Sequence, residues 1–416
     1  MHEKKRYGKE FFVDMTGIDK PFYESLFYGF MPAKSAHIKN EDITLGKKLS
    51  DGQIITDSDN HASGAYVRIE EKIAILREYT EFEMQSLTQP IMLAYKKPLP
   101  GDRRKPKSTE HNRGLEIIGT NKSIAEALLI QTSLAILKEA GHEDLHVEIN
   151  SIGDKESLAR FGKEIIGYYR KHINDLPAAC RQIMKTDVLA LLGCSHDKCK
   201  ELVEECPKSI NFLSDKSRIH FKEVLEFLEV LEIPYTINNS LVANRDYCSE
   251  TIFEIRDNNP KSHPLAVGIR YDTLAKRMGY KKEIPAVGVC LAYKKQESED
   301  MKEVAVEKSL KPKTCLMHLG FEAKAKSLIA LEELRKARIF TNHSLAKDKM
   351  AGQASMAEKA DAETLIIIGK KEAMEGTAIV RDSITRSQDA VPLKELGNHL
   401  KMLRQKDTIE KLKPLC

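Results

Sequence analysis

His111-Asn112-Arg113-Gly114-Leu115-Glu116-Ile117-Ile118-Gly119 sets one carboxylate inside an apolar run that ends in glycine. Before it, residues 96–113 hold seven Lys/Arg and three Pro, with no large apolar residue after Leu99. That composition reads as an exposed basic loop between two apolar segments, 91–93 and 115–119. Downstream, Ile124, Ala127, Leu128, Ile130, Leu134 and Leu137 recur at helical spacing, which predicts an amphipathic helix over 123–140. Residues 145–150 alternate as a strand, and 154–231 read as mainly helical, with the clearest stripe from Phe221 to Leu231. Strand character returns at 235–237, 251–255, 269–272 and 286–291. Upstream, Tyr28-Gly29-Phe30-Met31-Pro32 closes a first helix, 57–64 is a polar loop, and 65–76 reads as alternating strand. Residues 297–313 are charged and aperiodic, a linker. The run Thr364-Leu365-Ile366-Ile367-Ile368-Gly369 suits a strand buried on both faces.

At 416 residues the chain has room for two or three domains of about 150 residues. With 41% hydrophobic and 31% charged residues it carries enough apolar material for a core, which argues against disorder throughout. Basic and acidic residues number 66 and 62, and 66 − 62 = +4, so total charge does not by itself point to nucleic acid. No apolar run approaches the roughly 20 residues of a membrane span. The charged start Met1-His2-Glu3-Lys4-Lys5-Arg6 is unlike an export signal, so a cytoplasmic location is expected. Eight cysteines do not indicate a disulfide scaffold.

Five blocks, in order along the chain, resemble histidyl-tRNA synthetases, a class II aminoacyl-tRNA synthetase family. The segment 111–119 is similar to the end of motif 2, and Glu148-Ile149-Asn150-Ser151-Ile152-Gly153 to the start of the insertion. Ile233-Pro234-Tyr235, then Leu241 to Tyr247 and Thr251-Ile252-Phe253-Glu254, resemble the histidine-specific signature. Arg270-Tyr271-Asp272 and Pro285-Ala286-Val287-Gly288 look like the approach to motif 3. Ala360-Asp361, Ile366 to Glu372, Glu375-Gly376-Thr377, Val380-Arg381-Asp382 and Val391-Pro392-Leu393 look like the anticodon-binding domain. The resemblance implies an α+β fold with a six-stranded antiparallel catalytic-like sheet, a helical insertion and a C-terminal α/β domain. The expected division is 1–155 and 231–300 for the catalytic-like part, 156–230 for the insertion, 301–316 for a linker and 317–416 for the C-terminal domain. It also implies a homodimer and tRNA as partner.

Bringing a carboxylate onto the α-phosphate of ATP needs fixed positive charge and Mg²⁺. In the resemblance, Glu116 matches a carboxylate facing the substrate, and Asn112 stands where the family uses Gln. Leu76-Arg77-Glu78-Tyr79-Thr80 resembles the amino-group loop, which makes Glu78 and Thr80 ligand candidates; surface or strand positions are the alternative. Tyr247 belongs to the histidine signature, followed by Cys248 in place of a second tyrosine. Arg270 is either a ligand or a structural ion-pair residue. The motif 2 arginine falls on Ala94 or Pro98, with Arg103 and Arg104 close by; the histidine-specific arginine aligns with Ala243, with Arg245 two positions on; the motif 3 arginine aligns with Lys295. Lysine does not reproduce a bidentate fork. Val267-Gly268-Ile269 replaces a glycine run, which would crowd a ligand.

Three readings follow. The first is a tRNA-binding, synthetase-like protein with a degenerate aminoacylation site. The second is an active ligase using ATP and Mg²⁺, with Arg103, Arg245 and Lys295 as replacement cations. The third is a histidine-sensing regulatory paralogue, disfavoured by the anticodon-like C-terminal segment. Cys180, Cys194, Cys199 and Cys206 are separated by 13, 4 and 6 residues, and only one gap fits a zinc knuckle. The better reading is buried reduced thiols with no metal, and zinc is the alternative. The basic loop is expected to be solvated, or to contact tRNA phosphates near the acceptor end.

Overall fold

Glu116 sits in a nine-residue strand whose two neighbours are both antiparallel, and the larger of two sheets grows outward from it. The computed structural model describes residues 18–49, 65–97, 110–194, 196–242, 247–259, 262–294 and 312–412. In the larger sheet the order is β1 (Met31–Ala33), β2 (Ile91–Lys96), β3 (Glu110–Ile118), β8 (Ala286–Lys294), β7 (Ala266–Arg270), β6 (Ser249–Arg256), β4 (His146–Gly153) and β5 (Tyr235–Ile237). The six from β2 to β4 are antiparallel throughout, and a short parallel strand closes each edge. The expected six-stranded sheet is therefore present, extended to eight. A second sheet runs β10 (Thr341–His343), β9 (Thr314–His318), β11 (Thr364–Ile368), β12 (Thr377–Asp382) and β13 (Gln388–Pro392), parallel across the first three and antiparallel across the last two.

Helix α1 (Lys20–Phe27) ends just before Gly29, whose φ of +84° turns the chain into β1. Helix α2 (Asn40–Leu49) packs on α3 (Ile69–Glu81). Residues 65–76 are thus not a strand: α3 takes up 69–81. The alternation of Ile69, Ile73 and Ile75 misleads because α3 is buried on nearly every face, charged residues included, so its apolar positions show no clean helical stripe. Helix α4 (Ile124–Glu139) is helical as expected but not amphipathic, since every residue from Ile124 to Leu137 is buried. One side of α4 meets the sheet at β8; α1 and α8 (Asp215–Val230) cover others, and the Gln131 amide donates to the Leu328 carbonyl at 3.0 Å.

Between β4 and β5 the chain is helical: α5 (Lys155–Lys171), α6 (Ala178–Thr186), α7 (Asp197–Glu205) and α8, with 3₁₀ turns between. Asp154 caps α5, and the Ser214 cap of α8 donates to the Asp154 carboxylate at 2.7 Å, which ties the two ends of the segment together. A short helix α9 (Leu274–Arg277) links β7 to β8. Helix α10 (Phe321–Lys336) joins the second sheet to the first. Glu24, buried on α1, pairs with Arg335 and Arg338; Tyr28 donates to Glu332; and the Phe27 and Phe340 rings stack 4.4 Å apart.

Arg270 closes the end of β7. Its Nε and Nη2 each donate to Glu126 at 2.7 Å, Nη1 reaches the Thr120 carbonyl and Asp272, and both side chains of the pair are 0% exposed. His220 on α8 meets the same Glu126 at 2.7 Å. Burial opposes the charged imidazole, but Glu126 outweighs it and raises the His220 pKa above the ordinary value. Its stabilisation is therefore full below the unfolded-state pKa and is lost as pH rises through the folded-state pKa. Urea midpoints of the protein and of His220→Gln are expected to differ most below the free imidazole value of about 6.5, and the gap is expected to shrink as pH rises above it; a gap that widens with pH would contradict this assignment.

Candidate active site

Alternation along β3 sends Glu116, Gly114 and Asn112 to the face covered by α3, and Leu115 and Arg113 to the face covered by α4. In register with Glu116 stand Leu93 on β2 and Gly288 on β8. A Cβ on Gly288 would lie 2.0 Å from the Glu116 carboxylate, so the missing side chain is what makes room for it. One ladder step away, Gly114 lies opposite Tyr95 and Cys290, and a Cβ there would meet the Tyr95 phenol at 2.2 Å.

The first turn of α3 is set down on this face. Lys72 falls on the buried stripe of Ile69, Ile73 and Leu76, and its ammonium pairs directly with Glu116; both side chains are 0% exposed. Tyr271 donates to the other Glu116 oxygen. The Tyr95 hydroxyl lies 2.6 Å from Glu71 and 3.0 Å from Glu116. Glu71 is 3.4 Å from Lys97, whose ammonium donates to the Tyr66 carbonyl at 2.6 Å and lies 4.5 Å from that ring. Two ammonium groups thus face two carboxylates under two phenols, all of them buried.

Burial alone would favour a neutral Lys72, but the Cys290 sulfur, Glu116 and Glu71 around it hold its pKa above the lysine value. Glu71 is buried too, yet Lys97 and Lys72 keep its pKa below the usual carboxylate value. Burial and the nearby carboxylates push both phenols, Tyr95 and Tyr271, well up, so each stays a donor. Burial also raises the Cys290 thiol. The cluster is charged, internally paired and closed.

The sequence candidates fall unevenly around it. Glu116 is at the centre. Asn112 shares its face, half-buried, farther along β3. Tyr247 and Cys248 pack into the core on this side, with Ile252, Ile269 and Tyr271. Glu78 and Thr80 are not in a ligand loop but in the last turns of α3. Glu78 accepts from the His37 N–H at 2.8 Å, its pKa raised by burial, and lines a small recess with Ile75, Leu93 and Tyr95. Thr80 bonds back to the Leu76 carbonyl at 3.0 Å. Arg270 is committed to Glu126 on the opposite face, which leaves it as a structural ion-pair residue. Arg103, Arg104, Arg245 and Lys295 lie outside the described residues, as does most of the basic loop. Of the replaced glycine run, Ile269 fills the Glu116 side, while Gly268 makes room for the Phe253 ring, which a Cβ would meet at 2.1 Å.

Lys72, Glu71, Tyr95, Lys97 and Tyr271 are absent from the sequence candidates. For two of the five the sequence held a signal of burial, though none of pairing. Lys72 lies at i+3 from Ile69 and i−4 from Leu76, and Tyr271 must face opposite to Arg270 in an extended segment.

The described residues thus form a mainly antiparallel sheet backed by helices and a separate, smaller α/β sheet. The anticodon binding domain family matches residues 314–403, the second sheet and its helices. The histidine–tRNA ligase of Dehalococcoides mccartyi (strain ATCC BAA-2266 / KCTC 15142 / 195) is 27% identical over 360 residues, 84% of this chain and 85% of that one. That of Halothermothrix orenii is 28% identical over the same length, with the same coverage of each chain. The crystal structure of apo S. aureus histidyl-tRNA synthetase is 22% identical and covers 91% of this chain and 92% of that one, with a TM-score of 0.47. The chain is thus similar to curated histidine–tRNA ligases over 84% of its length, and its residues 314–403 match the anticodon binding domain family.

Removing one partner of a buried pair strands the other charge, at a cost of about 3–5 kcal/mol. Lys72→Met and Glu116→Gln are each expected to destabilise by that amount. The double variant is expected to fall well short of the sum. Chemical denaturation of the four proteins measures the coupling, and additive losses would contradict a direct pair.

Proposed function

We propose that this is a histidyl-tRNA synthetase-like protein that binds tRNA and whose aminoacylation site is degenerate. The observation that carries the reading is the state of Glu116. The carboxylate matched to substrate binding already has a cation, Lys72, and donors, Tyr271 and Tyr95, from its own chain, with no exposed surface. A histidine entering there would have to displace a buried ammonium and leave it unpaired. The arginines of the family pattern are replaced at Ala243, Lys295 and the motif 2 position. Losing one preorganised contact typically costs about 3 kcal/mol in the transition state. Three such losses amount to about a millionfold in rate. Retention of tRNA is supported by the anticodon binding domain match at residues 314–403. The family's homodimer belongs to the same reading.

Identity of 27–28% to curated histidine–tRNA ligases over 84% of the chain favours a second reading, an active ligase. It would need ATP, Mg²⁺ and cations supplied from Arg103, Arg245 and Lys295.

Histidine-dependent ATP–pyrophosphate exchange, measured beside an ordinary histidyl-tRNA synthetase, separates the two. The expected result is no exchange above background from a sample that still binds tRNA, with affinity falling as salt rises. Exchange lost in Glu116→Ala would establish the ligase.

A further inference from the structure

The helical segment between β4 and β5 has a small core of its own, built from Phe161, Ile165, Tyr169 and the leucines of the 3₁₀ turn Val188–Gly193. Three cysteines converge in it from separate elements. Cys180 is in the first turn of α6, Cys194 directly follows the 3₁₀ turn, and Cys199 is in the first turn of α7. Their sulfurs all lie within 4.8 Å of one another, and those of Cys180 and Cys194 are 3.7 Å apart.

We propose that Cys180, Cys194 and Cys199 form a thiolate site for a zinc-class divalent cation that staples this segment. The sulfur spacing is too long for a disulfide, whose S–S bond is about 2.05 Å. It matches the edge of a tetrahedron around zinc, about 3.8 Å for Zn–S bonds of about 2.3 Å. The gap of four residues from Cys194 to Cys199 is that of a zinc knuckle. Cys180, distant in sequence, is brought in by the fold, so the spacings alone favoured plain reduced thiols.

The surroundings suit sulfur ligands. Burial works against a Cys194 thiolate, but the His196 backbone N–H, the two neighbouring thiols and Lys200 lower its pKa overall. Cys199, more shut in, is pushed up by burial and its sulfur neighbours. The Tyr169 hydroxyl, within electrostatic reach of Cys206, Cys199 and Cys194, is buried with no hydrogen-bond partner among the described residues. Cys194 is half-buried, which gives the ion a way in. The fourth position falls to water.

Titration of the reduced full-length chain with Co²⁺ and then Zn²⁺ tests the site. One equivalent of Co²⁺ is expected to give sulfur-to-cobalt charge-transfer bands and the intense visible bands of tetrahedral ligation. Zn²⁺ should erase both. Cys199→Ser should lose the bands, and Cys315→Ala, in the second sheet, should keep them. No charge transfer in the unmutated chain, or bands that survive in Cys199→Ser, would overturn the proposal. The unmutated titration stands even where a variant fails to fold.

Discussion

The ion pair of Lys72 and Glu116 is the constraint around which one face of the larger sheet is built. A carboxylate and an ammonium with no exposed surface are stable only when each finds the other and the remaining lone pairs are met. The rest of the face follows from that demand. Gly288 leaves space for the carboxylate, Gly114 leaves space for Tyr95, and Tyr271 and Tyr95 supply the donors. Glu71 and Lys97 balance one another beside the first pair. Helix α3 must lie with its first turn against β2, β3 and β8, because Glu71 and Lys72 both leave from that turn.

The opposite face obeys the same rule. Arg270, one residue before Tyr271, turns its guanidinium to Glu126, and His220 shares that carboxylate. Two successive residues of one strand end therefore lock both faces. Framework and candidate site are hard to separate here: Glu116, the carboxylate that the resemblance sets against substrate, is bonded to Lys72, Tyr271 and Tyr95 of its own chain. That pairing is what the proposed reading, a degenerate aminoacylation site, rests on.

Much of the framework was legible from the residues. The run 111–119, the alternation at 145–150 and the apolar text at 286–291 fell on β3, β4 and β8, and the 364–369 run on β11. What failed did so for physical reasons. Helix α3 carries charge inside, so periodicity read its start as strand and resemblance looked for ligands at Glu78 and Thr80, two turns too late. Helix α4 lost its polar face because α1, α8 and α10 come to lie around it, a tertiary fact no local pattern contains. Glu116 was visible, but its partner was not, since a lysine 44 residues away has no local signature of pairing. The cysteines show the same limit: their convergence is made by the packing of three short elements.

Calorimetric titration of the protein with a non-hydrolysable histidyl-adenylate analogue tests the closed site most directly. The structure predicts no binding heat above dilution at analogue concentrations that saturate an ordinary histidyl-tRNA synthetase. One-to-one binding that histidine competes away would show that Lys72 yields its place on Glu116, and would contradict the account.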